Sequence, residues 1–253
     1  YSTSTIFLII HFFDAYSPFC IYFPNRVIAI NSNRQINFAT IIVNHPIKTI
    51  KNMKQQICTI TKYILFALLT FNFTACKQQE EKTLTFAIAS DFHAQDVPDG
   101  KERIEAFIKA AKDNNVDFII ELGDFIRLDS ASIPYLNVWN SFTGDKYHVI
   151  GNHDMDRYSP EEYVKGRNMP GRYYSFDKGD FHFIVLDGNN LYDGKEYTHY
   201  SKANYYVDAK KRAFVDPEQL EWLKKDLEAT DKKCILFTHQ SIEKAINNKE
   251  AVR

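Results

Sequence analysis

Cysteine is scarce in this chain and forms no pattern. The four are Cys20, Cys58, Cys76 and Cys234, and no C-x-x-C occurs. A zinc ribbon and a thioredoxin-type redox pair are therefore excluded. Neither charge is in excess: 31 Lys and Arg face 32 Asp and Glu, a net charge of -1. That balance speaks against a long basic surface, and no stable nucleic-acid binding is expected. Residues 1–52 lack any sustained period of 2 or 3.6, although apolar runs (Ile6 to Phe13, Phe19 to Phe23) interrupt the Asn, Ser and Thr. Two readings of this stretch stand: a genuine N-terminal extension, or upstream sequence translated in frame ahead of Met53. The second is preferred.

A pattern does begin at Met53. Lys54 and Lys62 supply a positive region, and Tyr63 to Phe71 is an apolar stretch of signal-peptide length, too short to span a bilayer. Phe73-Thr74-Ala75-Cys76 follows, small residues before a cysteine, which resembles the bacterial lipoprotein signal. The expected organisation is a signal peptide over 53–75, lipid on Cys76, a polar tether over 76–83 and a globular domain over 84–253. The expected location is the bacterial cell envelope, lipid-anchored on the periplasm-facing or outer membrane. Cys234 is then the one thiol of the mature domain, read as buried and inert, with no disulfide partner.

Within 84–253 the periodicity alternates between strand and helix. Leu84 to Ser90 and Val116 to Leu122 read as strands. Between them Asp99 and Glu102 suggest a capping box. The stripe Ile104, Phe107, Ile108, Ala111 marks a helix, so the two strands should be parallel. Ser132 to Asn140 is expected to be helical with Ile133, Leu136 and Trp139 inward. Tyr147 to Ile150 is a short third strand. Ser159-Pro160-Glu161-Glu162 is a capping box, and two runs around Lys178-Gly179-Asp180 signal a hairpin. Asp187 to Tyr206 reads as a long, Tyr-rich surface loop. Asp216-Pro217 starts a helix with the stripe Leu220, Leu223, Leu227, and Cys234 to Thr238 is the last strand.

Four of these strands run into Asp, Asn or His. Asp91-Phe92-His93 follows the first, Gly123-Asp124 the second, Gly151-Asn152-His153-Asp154 the third, and His239 the last. In a parallel or mixed sheet, such endings gather on the edge where ligands bind. Carboxylates, an amide and imidazoles suit manganese, iron or zinc better than calcium. A carboxylate can bridge two metals roughly 3.5–4 Å apart, holding a hydroxide for in-line attack on phosphorus. The other histidines read differently. His148 and His182 are expected to be packed core residues, and His199 a solvated loop residue.

Asp91-x-His93, Gly123-Asp124, Gly151-Asn152-His153-Asp154 and His239, in this order, resemble the calcineurin-like metallophosphoesterase superfamily. The tract Gly171 to Asp187 and the segment Gln219 to Leu223 resemble its purple-acid-phosphatase-like and cyclic-nucleotide-phosphodiesterase-like branches. The resemblance implies a four-layer αββα sandwich of two mixed sheets. It implies that Asp91 and His93 bind one metal, that Asp124 bridges both, and that Asn152 and His239 bind the second. It places Asn152 and His153 at the substrate phosphate. His153 would stabilise charge or protonate the leaving oxygen, and Asp154 would orient its ring. The implied activity is hydrolysis of phosphomonoesters or phosphodiesters, in small molecules or nucleotides, with two Mn, Fe or Zn ions.

Two departures are visible. Where the family often has Asp or Asn three residues after its Gly-Asp aspartate, this chain has Arg127, read as surface or substrate-side variation. The closing Gly-His-x-His motif has no match, since Gln240 to Arg253 contains no His. The expectation is a chain that stops before its last strands, with each metal one ligand short and weak metal binding. The alternative is a catalytically impaired lipoprotein that serves as a binding module.

Overall fold

The computed structural model describes residues 83–253 and, ahead of them, the backbone of three strands: β1 (Ile6–Phe12), β2 (Cys20–Phe23) and β3 (Arg26–Ala29). These strands fall in the stretch that shows no regular period in the sequence. The signal segment 53–75, the lipidation residue Cys76 and the tether 76–83 lie, except for residue 83, outside the described residues. Among the described residues no helix is long and apolar enough to cross a membrane.

Strand β4 (Leu84–Ser90) leads through helix α1 (Gly100–Asp113) to β5 (Phe118–Glu121), and through α2 (Ile133–Asn140) to β6 (Asp145–His148). The first sheet has the order β1-β4-β5-β6 and is parallel throughout. After α3 (Pro160–Arg167) come the hairpin β7 (Tyr174–Lys178) and β8 (Phe181–Val185), then β9 (Asn190–Tyr192), β10 (Tyr197–His199), β11 (Arg212–Phe214), α4 (Pro217–Glu228) and β12 (Lys233–Phe237). The second sheet, β3-β2-β12-β8-β7, is mixed: β12 and β8 are parallel, and the remaining pairs antiparallel. A small antiparallel sheet, β10-β9-β11, completes the fold. The expected sandwich is present, but only one of its two large sheets is mixed.

Strict alternation along the strands builds the layers. Phe86, Ile88, Phe118 and Ile120 meet Phe183, Val185, Ile235 and Phe237 between the sheets. Phe86 stacks on Phe118 at 4.6 Å and meets Phe183 edge-on at 5.5 Å, contacts worth about 0.5–1.5 kcal/mol each beyond burial. The intervening Ala87, Ala89 and Ile119 face the other way, against Ile104, Phe107, Ala111 and Trp139 of α1 and α2. On the far side Ile184, Leu186 and Leu236 pack on Leu223 and Trp222 of α4. The order of layers is helices, sheet, sheet, helix.

Several local expectations change. Ile133 is 54% exposed, because an i, i+3, i+6 stripe drifts about 60° per step and Trp139 takes the inward face. Asp99 makes no capping hydrogen bond. Its backbone is not extended, as a cap requires, and its carboxylate pairs with Arg103 at 3.0 Å. Leu227 is exposed and Cys234 only half-buried. The Ser159–Glu162 capping box forms in both directions. The tract 187–206 is not a surface loop: it supplies β9 and β10, with Asn189, Asn190, Tyr200 and Tyr205 buried. Its polarity misleads because the asparagines are satisfied internally. Asn189 Nδ2 donates to Ile150 O, and Asn190 Nδ2 to Phe214 O, both at 2.8 Å.

Candidate metal centre

Each ending leaves its strand through a tight backbone path. Asp91, His93 and Asp124 have φ of 56°, 43° and 56°, a left-handed conformation that costs a non-glycine residue roughly 1–3 kcal/mol. The loops after β4 and β5 run side by side: Asp91 N–H donates to Gly123 O at 3.1 Å and His93 N–H to Asp124 O at 2.9 Å. Two glycines make the approach possible. A Cβ on Gly151 would lie 2.2 Å from Asp124 Oδ1, and one on Gly123 2.4 Å from Gly151 N. Asp91 and His93 converge by this left-handed turn, with His93 Nε2 3.8 Å from Asp91 Oδ1.

Asp124 is the hub. Its Oδ1 accepts the N–H of His153 at 2.8 Å. Its Oδ2 lies between two imidazoles, 3.5 Å from His93 Nε2 and 3.4 Å from His239 Nε2. His239 Nδ1–H donates to Leu122 O at 2.7 Å, which turns Nε2 toward Asp124 and toward Asn152 Oδ1, 3.2 Å away. A histidine so tied through one nitrogen presents the other as a ligand. Asp91, Asp124 and His239 are all buried, with ligand atoms within 4.8 Å of one another. All five expected ligands therefore converge, and the donor set of carboxylates, amide oxygen and imidazole nitrogen fits a divalent cation.

The electrostatics agree. Burial alone would raise the Asp124 carboxyl, but His239, His93 and His153 outweigh it and hold the group at about 2. Burial would lower His239, but Asp124 raises it to about 10. Positive charge is favoured at this point.

His153 stands at the rim, and its ring lies edge-on to His93 at 5.4 Å. Asp154 does not orient it. The Asp154 carboxylate is buried and accepts three backbone N–H groups, from Gly151 (2.8 Å), Asp124 (3.0 Å) and Phe125 (3.1 Å). It holds the two loops together. Burial, then Asp124 and Glu121, raise its carboxyl to about 7. The residue at the His153 ring is Asp156, unrecognised in the sequence, whose Oδ2 lies 3.0 Å from Nδ1. Its spacing, three residues on in a short 3-10 turn, is the signal that marks it.

The cleft over the centre has a volume of about 320 Å³ and includes His93, Asp124, Arg127, His153, Arg157 and Tyr206 in its lining. Arg127 reaches it paired with Asp96. Among the described residues, His148, His182 and His199 are hydrogen-bonded. His148 lies against Glu121 at 2.7 Å, and His182 between Asp177 (2.7 Å) and Asp226 (2.8 Å). His199, expected to be solvated, sits on β10 against Asn190 at 2.6 Å.

A sandwich with Asp, Asn and His gathered at the ends of four strands is a metallophosphoesterase-type fold. The chain belongs to the calcineurin-like phosphoesterase family, whose model matches residues 84–251. It is similar to a manganese-dependent ADP-ribose/CDP-alcohol diphosphatase from Arabidopsis thaliana, 29% identical over 89 residues. That match covers 30% of this chain and spans 29% of the relative's length. The fold is similar to the crystal structure of a dimetal phosphatase from Danio rerio, with a TM-score of 0.53 at 16% identity, over 66% of this chain and 75% of that one.

Proposed function

We propose that this chain hydrolyses phosphoesters with two divalent metal ions. The observation that carries the reading is the position of Asp124 Oδ2, flanked by His93 and His239 at 3.5 and 3.4 Å. Asp91, His93 and Asp124 would hold one ion, and Asp124, Asn152 and His239 the other. Such ions supply Lewis acidity toward phosphoryl oxygens and lower the pKa of water. The chain's own groups do the rest. Asp154 fixes the loop that presents Asp124. As a water oxygen bonds to phosphorus and the P–O bond to the leaving group breaks, His153 Nε2 gives its proton to the departing oxygen. A proton from the water restores the ring.

The relative from Arabidopsis supports manganese as the ion and a nucleotide diphosphate as the substrate class. Arg127, Arg157 and the 64% exposed Tyr206 at the cleft fit that class, with cations for phosphate and a ring for a base. The lipid anchor on Cys76 and the envelope location rest on the sequence motif alone. Manganese-dependent release of product from ADP-ribose or bis(p-nitrophenyl) phosphate, abolished by chelator and by Asp124→Asn, is the expected result. Hydrolysis indifferent to both would refute the reading.

A further inference from the structure

The His153 imidazole is held by a chain of side chains that begins two elements away. Nδ1 lies 3.0 Å from Asp156 Oδ2 and 3.2 Å from the Tyr205 hydroxyl. That hydroxyl donates to the other carboxylate oxygen, Asp156 Oδ1. Tyr205 is 2% exposed and stacks on Tyr200 at 4.8 Å. The Tyr200 hydroxyl in turn accepts the N–H of Ala213, on β11, at 2.8 Å. Asp156 itself is half-buried, so without Tyr205 its carboxylate would rotate freely into the cleft. With Oδ1 taken by the tyrosine, Oδ2 remains for Nδ1–H, and the ring presents Nε2 to a substrate.

We infer that Asp156, fixed by Tyr205, is the positioning residue that keeps His153 in its Nδ1–H form with Nε2 available for the leaving oxygen. The inference rests on the reading of His153 as the proton donor. When the P–O bond breaks and the departing oxygen takes the Nε2 proton, the neutral ring is left as the Nδ1–H tautomer, the one Asp156 accepts from. No change of tautomer is then needed before water returns a proton to Nε2.

The test is made on the full chain. In long-range ¹⁵N–¹H spectra at a pH where His153 is neutral, with its signals assigned through His153→Ala, the native protein shows the Nδ1–H tautomer. Asp156→Ala shifts it to Nε2–H. On an alkyl phosphodiester, kcat of Asp156→Ala falls about 10–100-fold at unchanged KM, part of the span open to general acid catalysis. On a p-nitrophenyl ester, whose leaving oxygen needs no proton, it falls far less. In the His153→Ala background the substitution adds nothing. Tyr205→Phe, which retains both rings, shows the same changes in smaller measure. An unchanged tautomer in Asp156→Ala, or equal losses on alkyl and aryl esters, overturns the inference. A native chain without turnover on any ester refutes the hydrolase reading instead, and the tautomer measurement then still decides the role of Asp156.

Discussion

Two buried carboxylate–imidazole pairs, whose carboxylates Glu121 and Asp124 lie three residues apart in the chain, shift in opposite senses. Asp124 is held at about 2 while His239 rises to about 10. Glu121 is pushed up to about 8 while His148 falls to about 3. The residue types are nearly the same and burial is complete in both, so burial is not what separates them. The difference is company. Asp124 faces His239, His93 and His153 together. Around Glu121 desolvation dominates, with only the Gly123 N–H, Arg167 and His239 against it. His148 is driven neutral first by burial and then by Arg167. The outer pair is charged and open to a cation. The inner pair is a neutral hydrogen bond that props up the loop through Gly123, whose N–H donates to Glu121 Oε2 at 2.7 Å.

Substitutions that break one pair and spare the other sharpen this contrast. The largest effect belongs to Asp124→Asn, which removes the carboxylate flanked by His93 and His239. Losing Lewis-acid stabilisation of several kcal/mol corresponds to a fall in kcat/KM on the order of 1,000-fold or more, read by steady-state assay with metal analysis. His153→Ala comes next: kcat drops about 100-fold or more, while metal content measured by elemental analysis stays native. Metal loss in that variant would move His153 into the ligand set. Gly151→Ala drives a methyl against Asp124 Oδ1, and overpacking of this kind destabilises by about 1–3 kcal/mol, with weakened manganese binding in calorimetry.

The smallest and most discriminating change is Glu121→Gln. A carboxyl whose folded value is raised from 4.5 to about 8 is more protonated folded than unfolded between those values. Stability therefore declines as pH rises through that window. The amide keeps both hydrogen bonds without the charge, so the variant should match native stability near pH 5 and exceed it near pH 9 in denaturant titrations. The outer pair behaves differently in metal-free protein. The Asp124 contribution is present above about 3.8 and lost as pH falls through 2. The His239 contribution is complete below about 6.5 and lost as pH rises through 10.

Much of the centre was legible because strand endings are local. Apolar runs marked Leu84 to Ser90 and Val116 to Leu122 as strands, and each run delivered its Asp, Asn or His to the same edge. The partners across the fold were not legible. Tyr205 reaches His153 from 52 residues away. The family resemblance implied Asp154 as the partner of His153, but the 3-10 turn points that carboxylate into the loop and brings Asp156 to the ring. The strands of 187–206 were hidden because buried asparagines read as surface until their partners are known.

The most direct measurement is calorimetric titration of manganese into the chain and two variants at pH 7. The native protein and Glu121→Gln are expected to bind manganese, and Asp124→Asn to lose binding. Equal loss in both variants, or undiminished binding in Asp124→Asn, would contradict the assignment of Asp124 as the shared metal ligand.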